Sequence, residues 1–366
     1  MKILQINKFY YPWIGGVESV VKQIAEGLNK KNNYQVDVLV CQPKGKKSIE
    51  NIDGVNVFRA SSFGVLLGMP ISFNFFKIYK KIYKNYDALF FHYPFPLGFL
   101  AYFLFSPKKN LYIWYHSDIV RQKFFEFFLR PIHLFALKKA RKIFVSNPNL
   151  ISSSNYLNKF KEKCVVISFG IDIKKFELTE EIKKESLKIK DIFGSPLILS
   201  VGRLVYYKGF KYLIEAAQNV EAKFLIIGNG PLELELKSLI KKLKLENKVF
   251  ITSSIKNLVP YYYACDIFVL PSIFKSETFG IVLLEAMACG KPVISTDLGT
   301  GTSWVNIDKE TGFVVEPKNS KELAEKINIL LKDEKLYQEY KNNSLKRAMD
   351  LSIDAFINKL EKEIQD

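Results

Sequence analysis

Short, almost purely apolar runs alternate along the chain with stretches in which apolar residues recur every three or four positions. MKILQIN is the first run, KFYYPWIGG reads as a loop, and VESVVKQIAEGLNK has the spacing of an amphipathic helix. The same triplet returns in the second half as SPLILSVG, RLVYYKG and FKYLIEAAQ. Strand, glycine-bearing loop and helix, in that order, form the unit of a parallel α/β sheet. Further runs predict strands covered on both faces: YQVDVLVC, DALFFH, LYIWYH and KIFVSN, then KFLIIG, KVFIT, IFVLP and PVIST.

This repetition predicts an α/β architecture of two doubly wound parallel-sheet domains with a cleft between them. Residues 1–173 form the first domain and residues 195–348 the second. The charged segment 174–194 reads as a linker with a helix. The tail, 349–366, reads as a last amphipathic helix placed to pack back on the first domain. Ligands of such sheets sit beyond the carboxyl ends of the strands, so residues just after each apolar run are the candidates for chemistry.

Composition narrows the picture. The 366 residues suffice for two domains, and 48% hydrophobic with 25% charged residues describes a globular chain. Cys41, Cys164, Cys265 and Cys289 show no CxxC spacing, which fits a reducing compartment better than a zinc ribbon or a disulfide framework. The N-terminus lacks the pattern of a signal peptide. Tyr86 to Ser106 approaches the length of a membrane span, but His92, Pro94, Pro96 and Gly98 interrupt it. It reads as strand, loop and short buried helix.

Charge is lopsided. Of the net +17, residues 1–170 carry +16, from 25 Lys and Arg against 9 Asp and Glu. Such a field draws the first half towards an anionic surface, of lipid head groups or of nucleic acid; a solvated Lys-rich surface is the plainer alternative.

Four constellations follow strands. Gly15 and Gly16 stand between the first strand and its helix, as a tight turn or as a close backbone approach to an anion. Arg203 and Lys208 follow a strand of the second half, as solvated loop charges or as a grip on a diphosphate. Glu277 and Glu285 flank the apolar FGIVLL, eight residues apart; Glu277 falls where a loop meets a helix start, and the spacing predicts two carboxylates on roughly one side of a largely buried helix. Buried carboxylates need partners, either ligand hydroxyls or a salt bridge or cap. His116 ends a strand, where it can donate a hydrogen bond to a substrate oxygen. His92 and His133 read as structural, and no His, Asp or Cys pattern points to a metal site.

Taken in order, these pieces resemble glycosyltransferase family 4, of the GT-B fold. They are GGVE from Gly15, HSD from His116, SFGIDIKKF from Ser168, VGRLVYYKGF, IIGNGPLE and the EX7E spacing from Glu277 to Glu285. HSDIVRQK together with GTGTSWVN (Gly299 to Asn306) is similar to the mannosyltransferase-like branch that builds bacterial O-antigen or capsular glycans. The resemblance implies two Rossmann-like domains and a retaining transfer from a GDP- or UDP-sugar without a metal or other cofactor. Arg203 and Lys208 would bind the diphosphate, Glu277 the donor-sugar hydroxyls and Glu285 the ribose diol. Amides of Phe279, Gly280 and Ile281 would face sugar and phosphates. Gly16 would lie against the diphosphate or the acceptor, and His116 would contact the sugar. Gly15, Gly16, His116 and Asp118 would line the acceptor side, and Arg203, Lys208, Glu277 and His116 would carry catalysis. Phe169 stands where the family usually has Asn, and only Gly202 and Gly209 flank the donor-loop cations.

On the acceptor side, ISFNFFKIYKKIYK (Ile71 to Lys84) and RQKFFEFFLRPIHLFALKKARK (Arg121 to Lys142) mix aromatic and basic residues. They suit either a membrane interface or a core-facing stripe with a solvated Lys face. The resemblance favours a cytoplasmic enzyme, peripheral on the inner face of the cell membrane, acting on a glycan or a polyprenyl-diphosphate-linked acceptor. A glucan synthase or a nucleotide-sugar epimerase shares the fold. A nucleic-acid-binding protein is the reading from another class, and it has no use for Glu277 and Glu285.

Overall fold

The computed structural model describes residues 1–13, 15–66, 68–105, 109–118 and 123–365, with side chains for all of these except 123–128. The chain forms two compact units. Unit 1 comprises Met1–Phe169 and Phe356–Asp366, and unit 2 comprises Gly170–Ala355.

In unit 1 the apolar runs become strands β1 (Lys2–Ile6), β2 (Gln35–Cys41), β3 (Ser48–Ile52), β4 (Val55–Ala60), a short hairpin of β5 (Val65–Leu66) and β6 (Met69–Pro70), then β7 (Ala88–Tyr93), β8 (Asn110–Tyr115), β9 (Lys142–Val145) and β10 (Cys164–Val166). The eight-stranded sheet has the order β10-β9-β8-β7-β1-β2-β4-β3. Only β3 runs antiparallel to its neighbour. Helices α1 (Gly16–Asn29), α2 (Asn74–Ile82), α3 (Pro96–Phe105), α4 (Lys123–Lys139) and α5 (Pro148–Ser153) connect the strands. The apolar positions of α1 (Val20, Val21, Ile24, Ala25 and Leu28) lie on one buried face, as their spacing requires.

Two ambiguous stretches are decided by burial. In α2, Phe75, Tyr79 and Ile82 face the core while Lys77, Lys80 and Lys81 are exposed. Its aromatic stripe is therefore a core stripe. The lipid-like segment is β7 followed by α3, and among the described residues no helix is long and apolar enough to cross a membrane. The first part of the second basic-aromatic stretch, Arg121 to Phe128, lies outside the described side chains.

Unit 2 contains α6 (Glu180–Phe193), β11 (Leu197–Val201), α7 (Phe210–Ala216), β12 (Lys223–Ile227), α8 (Glu233–Lys242), β13 (Val249–Thr252), α9 (Val259–Ala264), β14 (Ile267–Leu270), α10 (Ile281–Ala288), β15 (Val293–Thr296), α11 (Thr302–Val305), β16 (Gly312–Val315), α12 (Ser320–Lys332) and α13 (Glu334–Asp350). Its sheet is wholly parallel, in the order β13-β12-β11-β14-β15-β16. This is the dinucleotide-binding order, and it reverses between β11 and β14.

Residues 174–194, expected as a linker, lie inside unit 2. There α6 is capped by Thr179, buries Ile189, packs on α9 and pairs Lys190 with Asp266 at 3.2 Å. The last helix, α14 (Ile353–Gln365), passes from one unit into the other. From Phe356 onwards it belongs to unit 1: Phe356 meets Trp114 edge-on, and Glu363 pairs with Lys142 at 3.0 Å.

Candidate active site

In unit 2, the strands on either side of the order reversal end in the two loops that hold the expected donor residues. The loop after β11 carries Arg203 and Lys208, and the loop after β14 carries Glu277. Gly209 joins the loops closely. Its φ is 68°, and a side chain there would strike the Pro271 carbonyl, so only glycine fits. The Ile273 amide donates to the Tyr207 carbonyl at 2.7 Å.

This approach brings Lys208 Nζ within 2.5 Å of Glu277 Oε2, both side chains 12% exposed. Ser272 Oγ donates to the same carboxylate oxygen at 3.3 Å, and Thr300 Oγ1 donates to the Glu277 carbonyl at 2.8 Å. Arg203 is exposed and its guanidinium makes no hydrogen bond or ion pair among the described residues. Arg203 thus leaves its charge unpaired among the described residues, in the same loop as the lysine of a cation–carboxylate pair.

The two glutamates do not share a helix. Gly280, at φ 75° and ψ 53°, breaks the backbone, so α10 begins only at Ile281 and Glu277 stays in the loop. Spacing alone had treated FGIVLL as one helical run. Phe279 is buried, and the amides of Gly280 and Ile281 donate to no acceptor among the described residues. They point from a helix N-terminus, where unpaired N–H groups and the dipole favour an anion.

Glu285, on α10, accepts a hydrogen bond from Tyr262 of α9 at 2.6 Å. Burial pushes the Glu285 carboxyl above its usual range, and the Tyr262 hydrogen bond pulls it partly back. Tyr262 lies among three neighbouring tyrosines in sequence, so no spacing rule marked it. Ser272 and Thr300 carry no spacing signal towards Glu277 either, although GTGTSWVN marks the loop after β15 that holds Thr300.

In unit 1 the corresponding strand ends hold the remaining candidates. Gly15 caps α1 in an extended conformation, and a side chain there would strike the Glu18 carboxylate. At Gly16 an added Cβ would meet nothing within 4 Å. His116, just past β8, is half-buried and stacks on Phe169 at 5.9 Å between ring centroids. Phe169 also stacks on Trp114, so the residue that replaces the family's Asn builds a wall for His116. Asp118 is committed within the fold: its Oδ1 accepts from Tyr115 and, at 2.7 Å, from Ser154. The segment after it, residues 119–122, lies outside the described residues.

His92 is buried and hydrogen-bonded at both ring nitrogens. Its Nδ1 is 3.0 Å from His116 Nε2, and its Nε2 is 2.9 Å from Gln5 Oε1. Burial holds the His92 pKa well below the ordinary value. Burial, with the nearby Lys8 cation, lowers that of His116 to about 3.

Comparison with known proteins places this geometry. The Glycosyltransferase Family 4 description matches residues 14–175, and the Glycosyl transferases group 1 description matches residues 180–347. The O-antigen chain mannosyltransferase C of Escherichia coli is 32% identical over 98% of this chain and 97% of its own. The chain is a family 4 glycosyltransferase. Another relative, the D-rhamnosyltransferase WbpZ of Pseudomonas aeruginosa, is 33% identical over 87% of this chain and 83% of its own. The GT-B fold is matched by Anabaena HepE, solved in complex with UDP, with a TM-score of 0.78, 21% identity and full coverage of both chains. In this family 4 glycosyltransferase, then, Arg203, Lys208 and Glu277 stand at the point where Rossmann-like sheets receive ligands.

Proposed function

We propose that this glycosyltransferase moves a hexose, with mannose favoured, from a GDP- or UDP-sugar to a growing surface glycan carried on a polyprenyl diphosphate, with retention of anomeric configuration. The observation that carries the reading is the Lys208–Glu277 pair at the switch point of unit 2, with Arg203, unpaired among the described residues, in the same loop as Lys208. A diphosphate competes for Lys208 and takes Arg203. Sugar hydroxyls then satisfy the Glu277 carboxylate. The ribose diol is assigned to Glu285, and the amides of Phe279, Gly280 and Ile281 to the phosphates and sugar. The names of the E. coli and P. aeruginosa relatives support the glycan class, and the UDP complex of Anabaena HepE supports a nucleotide donor.

In the reaction, the bond between the anomeric carbon and the phosphate oxygen breaks, and the electron pair leaves with the nucleoside diphosphate. Arg203 and Lys208 stabilise that developing charge as preorganised cations, a role often given to a metal. The acceptor oxygen bonds to the anomeric carbon from the same face, and its proton passes to the departing phosphate. Gly16, with open space where a side chain would be, is assigned to the acceptor side of unit 1.

A peripheral position on an anionic inner membrane face is supported by one surface. The β5–β6 hairpin and its flanks expose Phe63 (74%), Leu66 (62%) and Phe73 (71%), next to the exposed lysines of α2. Apolar side chains beside lysines match the interface of an anionic bilayer.

A melting-temperature panel of GDP-mannose, UDP-glucose and ADP-glucose tests the donor: the GDP- or UDP-sugar should raise the midpoint by binding the native state. Proton NMR of the product then tests the stereochemistry. An inverted anomer, or unchanged melting with every nucleotide-sugar, rejects the proposal. Activity should survive EDTA.

A further inference from the structure

A line of polar side chains crosses one face of the unit 1 sheet between aromatic rings. It runs from Gln5 on β1, through His92 on β7, to His116 past β8. The strand pairing sets it up. Gln5 is in register with Phe90, His92 lies two residues further on the same face, and His92 is in register with Trp114, two residues before His116. Gln5 and His92 are fully buried.

One end of the line fixes the proton positions of the rest. The Val21 carbonyl can only accept, and Gln5 Nε2 lies 3.0 Å from it. The Gln5 amide is thereby oriented, with Oε1 towards His92 Nε2, so that nitrogen must carry a hydrogen. Neutral His92 is left with a lone pair on Nδ1, and the hydrogen between the two imidazoles must come from His116 Nε2. Neutral His116 therefore has its lone pair on Nδ1, which has no hydrogen-bond partner among the described residues. Burial keeps both imidazoles neutral near pH 7, and Lys8 adds to this at His116. Asp118, the carboxylate two residues away, is held by Tyr115 and Ser154. Trp114 and Phe169 stack on the His116 ring and fix its plane.

We propose that Gln5 and His92 are positioning residues that lock His116 into one tautomer, so that its Nδ1 accepts a hydrogen bond from a substrate hydroxyl and cannot donate one. This rests on the glycosyltransferase reading only for the identity of the hydroxyl. It reverses the expectation that His116 donates to a substrate oxygen. A lone pair at that point selects a sugar hydroxyl and repels a phosphate or carboxylate oxygen. The low basicity of the ring makes it an orienting group, with no proton transferred.

The test uses the ligand-free wild-type protein labelled with 15N at histidine. The chain has three histidines, so single substitutions assign the signals. Long-range 1H–15N spectra should show His92 and His116 as Nε2–H tautomers, with neither titrating above pH 5. An Nδ1–H signature on His116, or an imidazolium at pH 6, overturns the proposal whatever the enzyme's substrate. With GDP-mannose turnover as the second readout, His92→Phe should lower kcat about 10-fold or more and leave the donor KM nearly unchanged. His92→Asn, which keeps an oxygen near the Nδ1 position, should recover most of the rate. His92→Phe/His116→Ala should be no slower than His116→Ala alone, whereas multiplying losses would show that His92 acts only on the fold. A wild-type protein that turns over no nucleotide-sugar defeats the proposed function, and the spectra still decide the tautomer.

Discussion

Lys208 and Glu277 face each other across two loops, Nζ to Oε2 at 2.5 Å, although 69 residues separate them in the chain. The cation assigned to the diphosphate and the carboxylate assigned to the sugar hydroxyls each neutralise the other. The pair keeps both charges tolerable at 12% exposure and holds the two side chains in place. Removing one partner strands the other. Lys208→Met and Glu277→Gln should each lower kcat/KM by about 100-fold or more. Each should also cost about 1–3 kcal/mol of stability, below the value for a fully buried pair. Urea melts and a double-mutant cycle check this, and fully additive losses would show that the two act independently.

Gly16 separates function from folding. A methyl group there meets nothing within 4 Å, and the position is the first of helix α1. Gly16→Ala should leave stability unchanged or raise it by about 0.5–1 kcal/mol, by restricting the unfolded chain. Turnover should fall, because the methyl occupies space assigned to substrate. Equal activity would remove Gly16 from the site.

The Tyr262–Glu285 hydrogen bond predicts a pH effect. Burial raises the Glu285 pKa and Tyr262 lowers it. A raised carboxyl stabilises the fold while protonated; that contribution is complete below the unfolded value of about 4.3 and is lost as pH rises through the folded pKa. Tyr262→Phe removes the lowering influence. The acidic limb of the pH–rate profile should move to higher pH, with a raised donor KM on that limb. An unshifted limb would show that Glu285 is not required in its charged form.

The histidine pair predicts the opposite slope. Both folded pKa values lie below the unfolded value of about 6.5, that of His116 at about 3. Their neutral forms contribute stability above pH 6.5, and it is lost as pH falls towards the folded values. Each histidine should contribute up to about 1.4 kcal/mol per pH unit in that window. Urea melts at pH 7 and pH 5 should show a larger loss in the wild type than in His92→Gln.

The exposed hairpin predicts salt-sensitive membrane binding. Co-sedimentation with vesicles containing anionic lipid should be strong at low salt and weaker at high salt. Phe63→Ser/Phe73→Ser should reduce it without unfolding the protein, since both rings are largely in solvent. Indifference to anionic vesicles at low salt would reject the membrane assignment.

Much of this enzyme was legible in its sequence. The apolar runs marked the strands because a parallel sheet buries both of its faces, and the residues after them marked the loops where ligands gather. Gly15, Gly16, Arg203, Lys208, Glu277, Glu285 and His116 were singled out as candidates that way or through the family resemblance. Strand order, loop approach and proton direction were not legible, because they depend on contacts between distant segments. The crossovers place β11 beside β14, and that adjacency makes Lys208 and Glu277 a pair. A left-handed Gly280 delayed the helix start to Ile281, so Glu277 stands in the loop rather than on the helix face it was expected to share with Glu285. The register of β1, β7 and β8 turned His92 from a core histidine into the link between Gln5 and His116. Local pattern determines which elements form, since it acts within a few residues. Partners across a sheet are chosen only when the tertiary fold brings separate strand ends together.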